Sequence, residues 1–213
     1  GYGRHQRAGD SFTDGRKRQV MVVGVLALQG AFIEHENVLN RLGVDCVELR
    51  NAKDLENNYD ALVLPGGEST VQGKLLKESG MYDTIKSQID NGMPVLATCA
   101  GMILLADNIE GDDTKHLSTM PVTVKRNAYG RQLGSFHTTD YVKGIGEVHM
   151  TFIRAPYISE VSDGVDVLAK VDEKIVGVKY KNQYAFAFHP ELDDNLNIHR
   201  RFVEEVSDIC NRA

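Results

Sequence analysis

The stretch from Met93 to Ala106 constrains this chain more than any other. Pro94 to Leu96 is a short apolar run that suits a buried strand, small residues follow, and a second apolar run then suits a helix. Cys99 stands between the two, flanked by Ala97, Thr98, Ala100 and Gly101. A strand that turns sharply into a helix needs small neighbours, and the turn lifts its central side chain clear of the sheet. This is the layout of a nucleophile elbow, written G-x-S-x-G where the nucleophile is serine. The helix N-terminus also favours a thiolate, because its unpaired N–H groups and dipole stabilise negative charge. A lone cysteine among apolar residues also fits a small buried hydrophobe. The rest of the chain has to decide between these readings.

Upstream, Val20 to Leu28 is a nearly continuous β-branched and apolar run, as suits a central parallel strand covered on both faces. Gln29-Gly30 ends it. Ala31 to Leu42 then places Phe32, Val38, Leu39 and Leu42 at helical spacing, with Gly43 as a stop. Val44 to Leu49 reads as a strand, Leu55 to Asp60 as a polar connection, and Ala61 to Leu64 as a third, buried strand. Pro65-Gly66-Gly67-Glu68-Ser69-Thr70 follows, opening a helix from Val71 to Ser79 in which Ser69 or Thr70 can cap. The loop is not a nucleotide P-loop: the spacing from Gly67 to Gly73-Lys74 is wrong, and Leu75 replaces the metal-binding hydroxyl. A helix from Met81 to Asn91 leads into the Cys99 strand. Such alternation predicts an α/β fold, a doubly wound, mostly parallel central sheet with helices on both faces. The Gly66-Gly67 loop and the Cys99 elbow both end strands, so they are expected to open on one sheet edge.

After Asp107 the pattern alternates more. Val122–Lys125, Ser135–Val142 and Glu147–Arg154 read as half-exposed strands, and Val165–Ala169, Ile175–Tyr180 and Tyr184–Phe188 as a closing meander. We therefore expect an antiparallel C-terminal extension, completed by a helix from Leu196 to Cys210. Residues 20–213 form the expected single domain. Residues 1–19 are polar, glycine-rich and locally basic, and read as a flexible extension.

The net charge of −6 is spread over both signs, with no basic stripe for nucleic acid. No apolar run approaches the roughly 18 residues of a membrane span. Three cysteines, widely spaced and odd in number, do not make a disulfide framework and suit a reducing cytoplasm. No CxxC pair or clustered Cys/His set suggests zinc.

His189-Pro190-Glu191, at the end of the last expected strand, supplies what the elbow lacks. Alternate residues on an extended chain share a face, so His189 and Glu191 can point together. Pro190 stiffens the pair. A carboxylate beside an imidazole fixes its tautomer and supports its cation, as the third member of a triad does. The order Cys…His…Glu differs from that of α/β-hydrolases. His35 shares the apolar side of its helix and reads as a hydrogen-bonded packing residue. His116, His137, His149 and His199 have no carboxylate at this spacing on a strand end, and Cys46 and Cys210 read as structural.

Together these residues resemble the class I, triad-type glutamine amidotransferases, and within them the glutaminase subunits of pyridoxal 5′-phosphate synthase. The narrower resemblance rests on Leu28-Gln-Gly-Ala31, Pro65-Gly-Gly-Glu-Ser-Thr70, Thr98-Cys-Ala-Gly101, Arg126-Asn127 with Gly130-Arg-Gln132 and Ser135-Phe136, Phe152-Ile-Arg-Ala-Pro156, and His189-Pro-Glu-Leu192. It implies Cys99 as nucleophile, His189 as acid–base and Glu191 as its orienting partner. It implies L-glutamine contacts at Gly67, Glu68, Ser69, Arg126, Ile153 and Arg154, with backbone N–H groups of Gly67 and Ala100 as the oxyanion hole. Arg126 or Arg154 would recognise the α-carboxylate. It implies no metal and no cofactor in this chain, and a (β/α)8-barrel synthase subunit as partner, without which the glutaminase is weak. Ala97 replaces a usual glycine two residues before the nucleophile, and His137 stands where an acidic residue is expected. The alternative is a free-standing cysteine hydrolase on the same scaffold, such as a γ-glutamyl hydrolase or a peptidase-like relative.

Overall fold

The computed structural model describes residues 20–126 and 135–212. The expected extension at 1–19 lies outside them, as do Asn127 and the Gly130–Gln132 segment of the sequence pattern.

The middle of the sheet is built from short strands that are buried on every residue. β3 (Ala61–Leu64) and β4 (Val95–Thr98) each read buried throughout. Successive side chains of a strand point to opposite faces, so both faces are covered. β1 (Val22–Leu26) pairs in parallel with β2 (Asp45–Leu49) on one side and with β3 on the other, and β3 pairs in parallel with β4. The connecting helices are α1 (Phe32–Arg41), α2 (Ser69–Glu78) and α3 (Tyr82–Asp90), with a 3₁₀ turn at Ala52–Glu56 between β2 and β3. The helix beyond Cys99, α4 (Ala100–Leu105), is buried on every residue. Neither Ser69 nor Thr70 caps α2. Glu68 holds the cap position without a side-chain hydrogen bond, because the helix begins two residues earlier than the apolar pattern indicates.

The second half adds β5 (Ala106–Ile109), β6 (Met120–Lys125), β7 (Ser135–Val142), β8 (Gly146–Ile153), β9 (Tyr157–Val161), β10 (Asp166–Val171), β11 (Lys174–Tyr180) and β12 (Gln183–Phe186), followed by α5 (Asn197–Arg212). Most of these strands pair antiparallel, as expected, with two exceptions. β5 and β6 pair in parallel, and the second exception is the more consequential. β12 returns to the main sheet and lies parallel to β4, giving the order β2-β1-β3-β4-β12-β11-β9-β6-β5. β7 and β8 form a separate two-stranded hairpin. Phe152 of that hairpin meets Phe188 edge-on, with centroids 5.7 Å apart, just before His189. Among the described residues, no helix is long and apolar enough to cross a membrane.

Candidate active site

Register between β4 and β12 places Thr98 beside Phe186, so the chain leaves both strands at the same edge. Cys99 follows Thr98 directly and its N–H donates to the Phe186 carbonyl at 2.8 Å. The residue sits at φ 50°, ψ −106°, a conformation that is costly for a non-glycine side chain and typical of a strained elbow. Gly101 allows α4 to start so close to β3: a Cβ there would lie 2.1 Å from the Leu64 carbonyl oxygen. Ala97, by contrast, keeps its place in both ladders, opposite Leu64 and Ala185, so its methyl leaves the strand regular.

His189 is held from the other side by its N–H, which donates to the Thr151 carbonyl of β8 at 2.8 Å. Its Nδ1 lies 2.5 Å from Glu191 Oε1. The two do not meet by sharing one face of an extended strand. Pro190–Leu192 is a 3₁₀ turn, with proline in its first turn where the fixed φ is already suitable, and the turn brings Glu191 back under the ring. The other ring nitrogen is left for the Cys99 thiol. Burial works against the imidazolium, but hydrogen bonds to Cys99 and Glu191 and their charges outweigh it and carry the His189 pKa up to about 10.

Gly66 makes room for this ring. A Cβ on Gly66 would stand 2.2 Å from His189 Cε1. The neighbouring Gly67-Glu68 segment is braced by Gln29, whose Oε1 accepts from the Glu68 N–H at 2.8 Å. Gln72 ties the same loop down, donating from Nε2 to the Gln29 and Pro65 carbonyls at 3.0 and 3.1 Å.

A cleft of about 410 Å³ opens over Cys99 and His189, within the range that takes a small metabolite. Gly67, Glu68, Ser69, Ala100, Arg126, Ile153 and Arg154 line it. Every sequence-derived site residue therefore borders this cleft except Glu191, which stands behind the histidine. Arg126 Nη1 reaches Thr70 Oγ1 at 3.4 Å and Asp112 Oδ2 at 3.7 Å. Its Nε and Nη2 are buried without a hydrogen-bond partner among the described residues. Arg154 is exposed and holds φ 43°.

Sequence reasoning missed the layer behind the histidine. His35 Nε2 lies 3.4 Å from Glu191 Oε2 and 3.1 Å from Thr98 Oγ1, while its Nδ1 meets His199 Nε2 at 2.8 Å. Burial, with the nearby charges of His199 and His189, holds His35 well below the usual histidine range, and burial takes His199 down to about 3. Both rings are thus neutral. The arrangement that fits both rings has His199 Nε2–H donating to His35 Nδ1, and His35 Nε2–H donating to Thr98 Oγ1. It leaves two acceptors, His199 Nδ1 and Glu191 Oε2, without a hydrogen-bond partner among the described residues. His35 packs and hydrogen-bonds as expected, but it also touches the carboxylate behind His189. The only sequence signal was its place on the apolar side of α1. Gln29 lay in a stretch that carried the resemblance but had no assigned role.

The SNO glutamine amidotransferase family profile matches residues 25–208. This chain belongs to that family. The pyridoxal 5′-phosphate synthase subunit PdxT of Desulfitobacterium hafniense (strain Y51) is 57% identical over 188 residues, covering 88% of this chain and 94% of that protein. The PdxT of Haemophilus influenzae (strain PittEE) is 51% identical over 196 residues, covering 91% of this chain and 100% of its own. A solved glutamine amidotransferase structure superposes with a TM-score of 0.83 at 42% identity, covering 87% of this chain and 98% of that one. The match to the SNO amidotransferases thus spans the elbow, the glycine loop and the His189 turn together.

Proposed function

We propose that this chain hydrolyses L-glutamine to L-glutamate and ammonia, as the glutaminase subunit of a pyridoxal 5′-phosphate synthase. The observation that carries the reading is the pairing of a strained Cys99 with a histidine whose far nitrogen lies 2.5 Å from a buried glutamate. The Cys99 sulfur attacks the side-chain amide of glutamine, and the N–H groups of Gly67 and Ala100 hold the oxyanion. His189 gives its proton to the leaving ammonia, then takes one from the water that cleaves the γ-glutamyl thioester and frees glutamate. Glu191 orients the ring and stabilises its cation throughout. Arg126 binds the α-carboxylate: its Nε and Nη2 form the edge a carboxylate meets bidentately, and both are unpaired among the described residues. Glu68, Ser69, Ile153 and Arg154 complete the pocket.

Ammonia released into solvent would be lost, so the site works beside a second one, on a (β/α)8-barrel synthase subunit. Ile153 in the cleft wall, Val71 next to Thr70 and Leu192 next to Glu191 are large apolar side chains left exposed, which supports a partner covering this mouth. Reactive-thiol chemistry at Cys99 fits a reducing cytoplasm. The test is glutamate release from glutamine with and without the synthase subunit. Activity that rises when the subunit is added is expected. Full activity alone would favour the free-standing hydrolase, and none with the partner would indicate an idle binding subunit. Cys99→Ala abolishes thioester formation and leaves docking intact; an adduct trapped on Cys46 or Cys210 instead would overturn the assignment.

A further inference from the structure

A second constellation lies on the β7–β8 hairpin and the turn after Glu191, among residues that do not line the cleft. His137, His149 and Asp193 each offer a donor atom within 4.8 Å of the other two. They are far apart in sequence, and the fold brings them together in two steps. The hairpin register sets His137 opposite Thr151 and His149 opposite Thr139, so the two imidazoles are diagonal neighbours and stack with centroids 5.5 Å apart at 10°. The 3₁₀ turn that carries Glu191 then ends at Asp193, whose Oδ1 lies 3.8 Å from His149 Nε2.

The surrounding hydroxyls orient these groups as ligands. Thr151 Oγ1 donates its one proton to Asp193, at 2.8 and 3.0 Å from the two carboxylate oxygens. It must therefore accept from His137 Nδ1, 3.0 Å away, which fixes the proton on Nδ1 and leaves Nε2 as a free lone pair. Thr139 Oγ1 sits 3.3 Å from His149 Nδ1 and can hold that ring in the same tautomer. Threonine partners on both Nδ1 atoms are what a metal-binding histidine needs behind it. In the amidotransferase resemblance, His137 stands where an acidic residue is expected, so the catalytic site does not account for it.

We propose that His137, His149 and Asp193 form a binding site for a divalent transition-metal ion of the zinc type, joining the β7–β8 hairpin to the turn after Glu191. Two imidazoles and one carboxylate suit Zn²⁺, Co²⁺ or Ni²⁺, whereas Mg²⁺ and Ca²⁺ require oxygen ligands. Ligand atoms around tetrahedral zinc stand about 3.3 Å apart. The present separations close to that by rotation of the two exposed histidine side chains, with solvent filling the open position. The sequence shows no CxxC pair or clustered Cys/His set because these three residues are brought together only by strand register and a turn.

The test is Co²⁺ binding to the full chain, followed by absorption spectroscopy and by the metal-dependent rise in Tm. One equivalent per chain is expected, with nitrogen–oxygen ligation and no thiolate-to-cobalt charge-transfer band. His137→Ala, His149→Gln and Asp193→Asn are each expected to weaken binding by at least about tenfold, with apo Tm values showing that they fold. Cys99→Ala should bind as the parent does. A charge-transfer band, loss of binding in Cys99→Ala, or parental affinity in any one of the three ligand variants would overturn the proposal. So would the absence of a Tm rise with saturating Co²⁺.

Discussion

At the residue scale, the Cys46 and Cys99 thiols differ by environment rather than by type. Burial, with Glu36 and Asp45 nearby, pushes the Cys46 thiol up to about 12, so at neutral pH almost none of it is thiolate. Cys99 instead faces an imidazole held as a cation. Iodoacetamide at pH 7.5 is therefore expected to modify Cys99 first and to leave Cys46 untouched in the folded protein, as peptide mapping by mass spectrometry would check. Labelling of Cys46 at a comparable rate would contradict its burial. The histidine makes a second prediction. Glu191→Gln keeps a hydrogen-bonding group on the ring but removes the charge that helps hold the proton. The His189 titration, followed by NMR of its ring, should move from about 10 towards the ordinary histidine value of 6.5. Glutamine turnover with the synthase subunit present should fall about a hundredfold or more. An unmoved midpoint would mean that the carboxylate does not hold the cation.

Two glycines mark what the elements need, and they predict different failures. Gly66→Ala places a methyl 2.2 Å from His189 Cε1, against a ring that can tilt. Tilting takes the ring off Cys99, so turnover should drop by about a hundredfold while stability falls only modestly. Gly101→Ala meets the Leu64 carbonyl oxygen at 2.1 Å, a backbone obstacle that cannot swing away. Its loss should appear as a lower Tm, with about 1–3 kcal/mol of destabilisation from overpacking. Kinetics and thermal melts on both variants separate the two, and a purely thermal effect of Gly66→Ala would show that the ring has room elsewhere. The same contrast explains what could be read in advance. β1, β3, the elbow and the pairing of His189 with Glu191 were legible because each is a local pattern of apolar, small or conformationally restricted residues, though the pair meets through a 3₁₀ turn and not on an extended strand. β5 (Ala-Asp-Asn-Ile) was missed because it is short and half polar at the sheet edge, and β9 because three of its five residues face solvent. The insertion of β12 beside β4, the layer of His35 and His199, and the His137–His149–Asp193 set all depend on pairings between distant segments. No local period encodes those.

For the whole molecule, the buried histidines set opposing limits on stability, and their signs can be worked out. His35 and His199 are neutral in the fold, with pKa values depressed by burial, to about 3 for His199. Unfolding releases them to the ordinary value of about 6.5. Below that pH the unfolded chain binds protons that the folded chain refuses, so stability is present above about 6.5 and lost as pH falls towards 3. His189 acts the other way. Its folded pKa is raised to about 10, so its contribution is complete below about 6.5 and disappears as pH rises through 10. Glu36, raised to about 7 by burial and by the neighbouring Glu48, also favours the acid side, losing its contribution between about 4.5 and 7. It is largely solvated, and screening makes its share small. The acid and alkaline losses therefore meet close to neutrality, and Tm should peak between about pH 6 and 7. Thermal unfolding of the full chain from pH 4 to 10 tests this, with two variants to assign the limbs. His199→Gln removes one neutral buried imidazole and should flatten the acid limb, while His189→Gln should flatten the alkaline limb and leave the acid one steep. If the parent held a level Tm from pH 7 to 10, His189 would not carry a proton stabilised by the fold. The imidazolium that hands its proton to the leaving ammonia in the proposed chemistry would then fall with it.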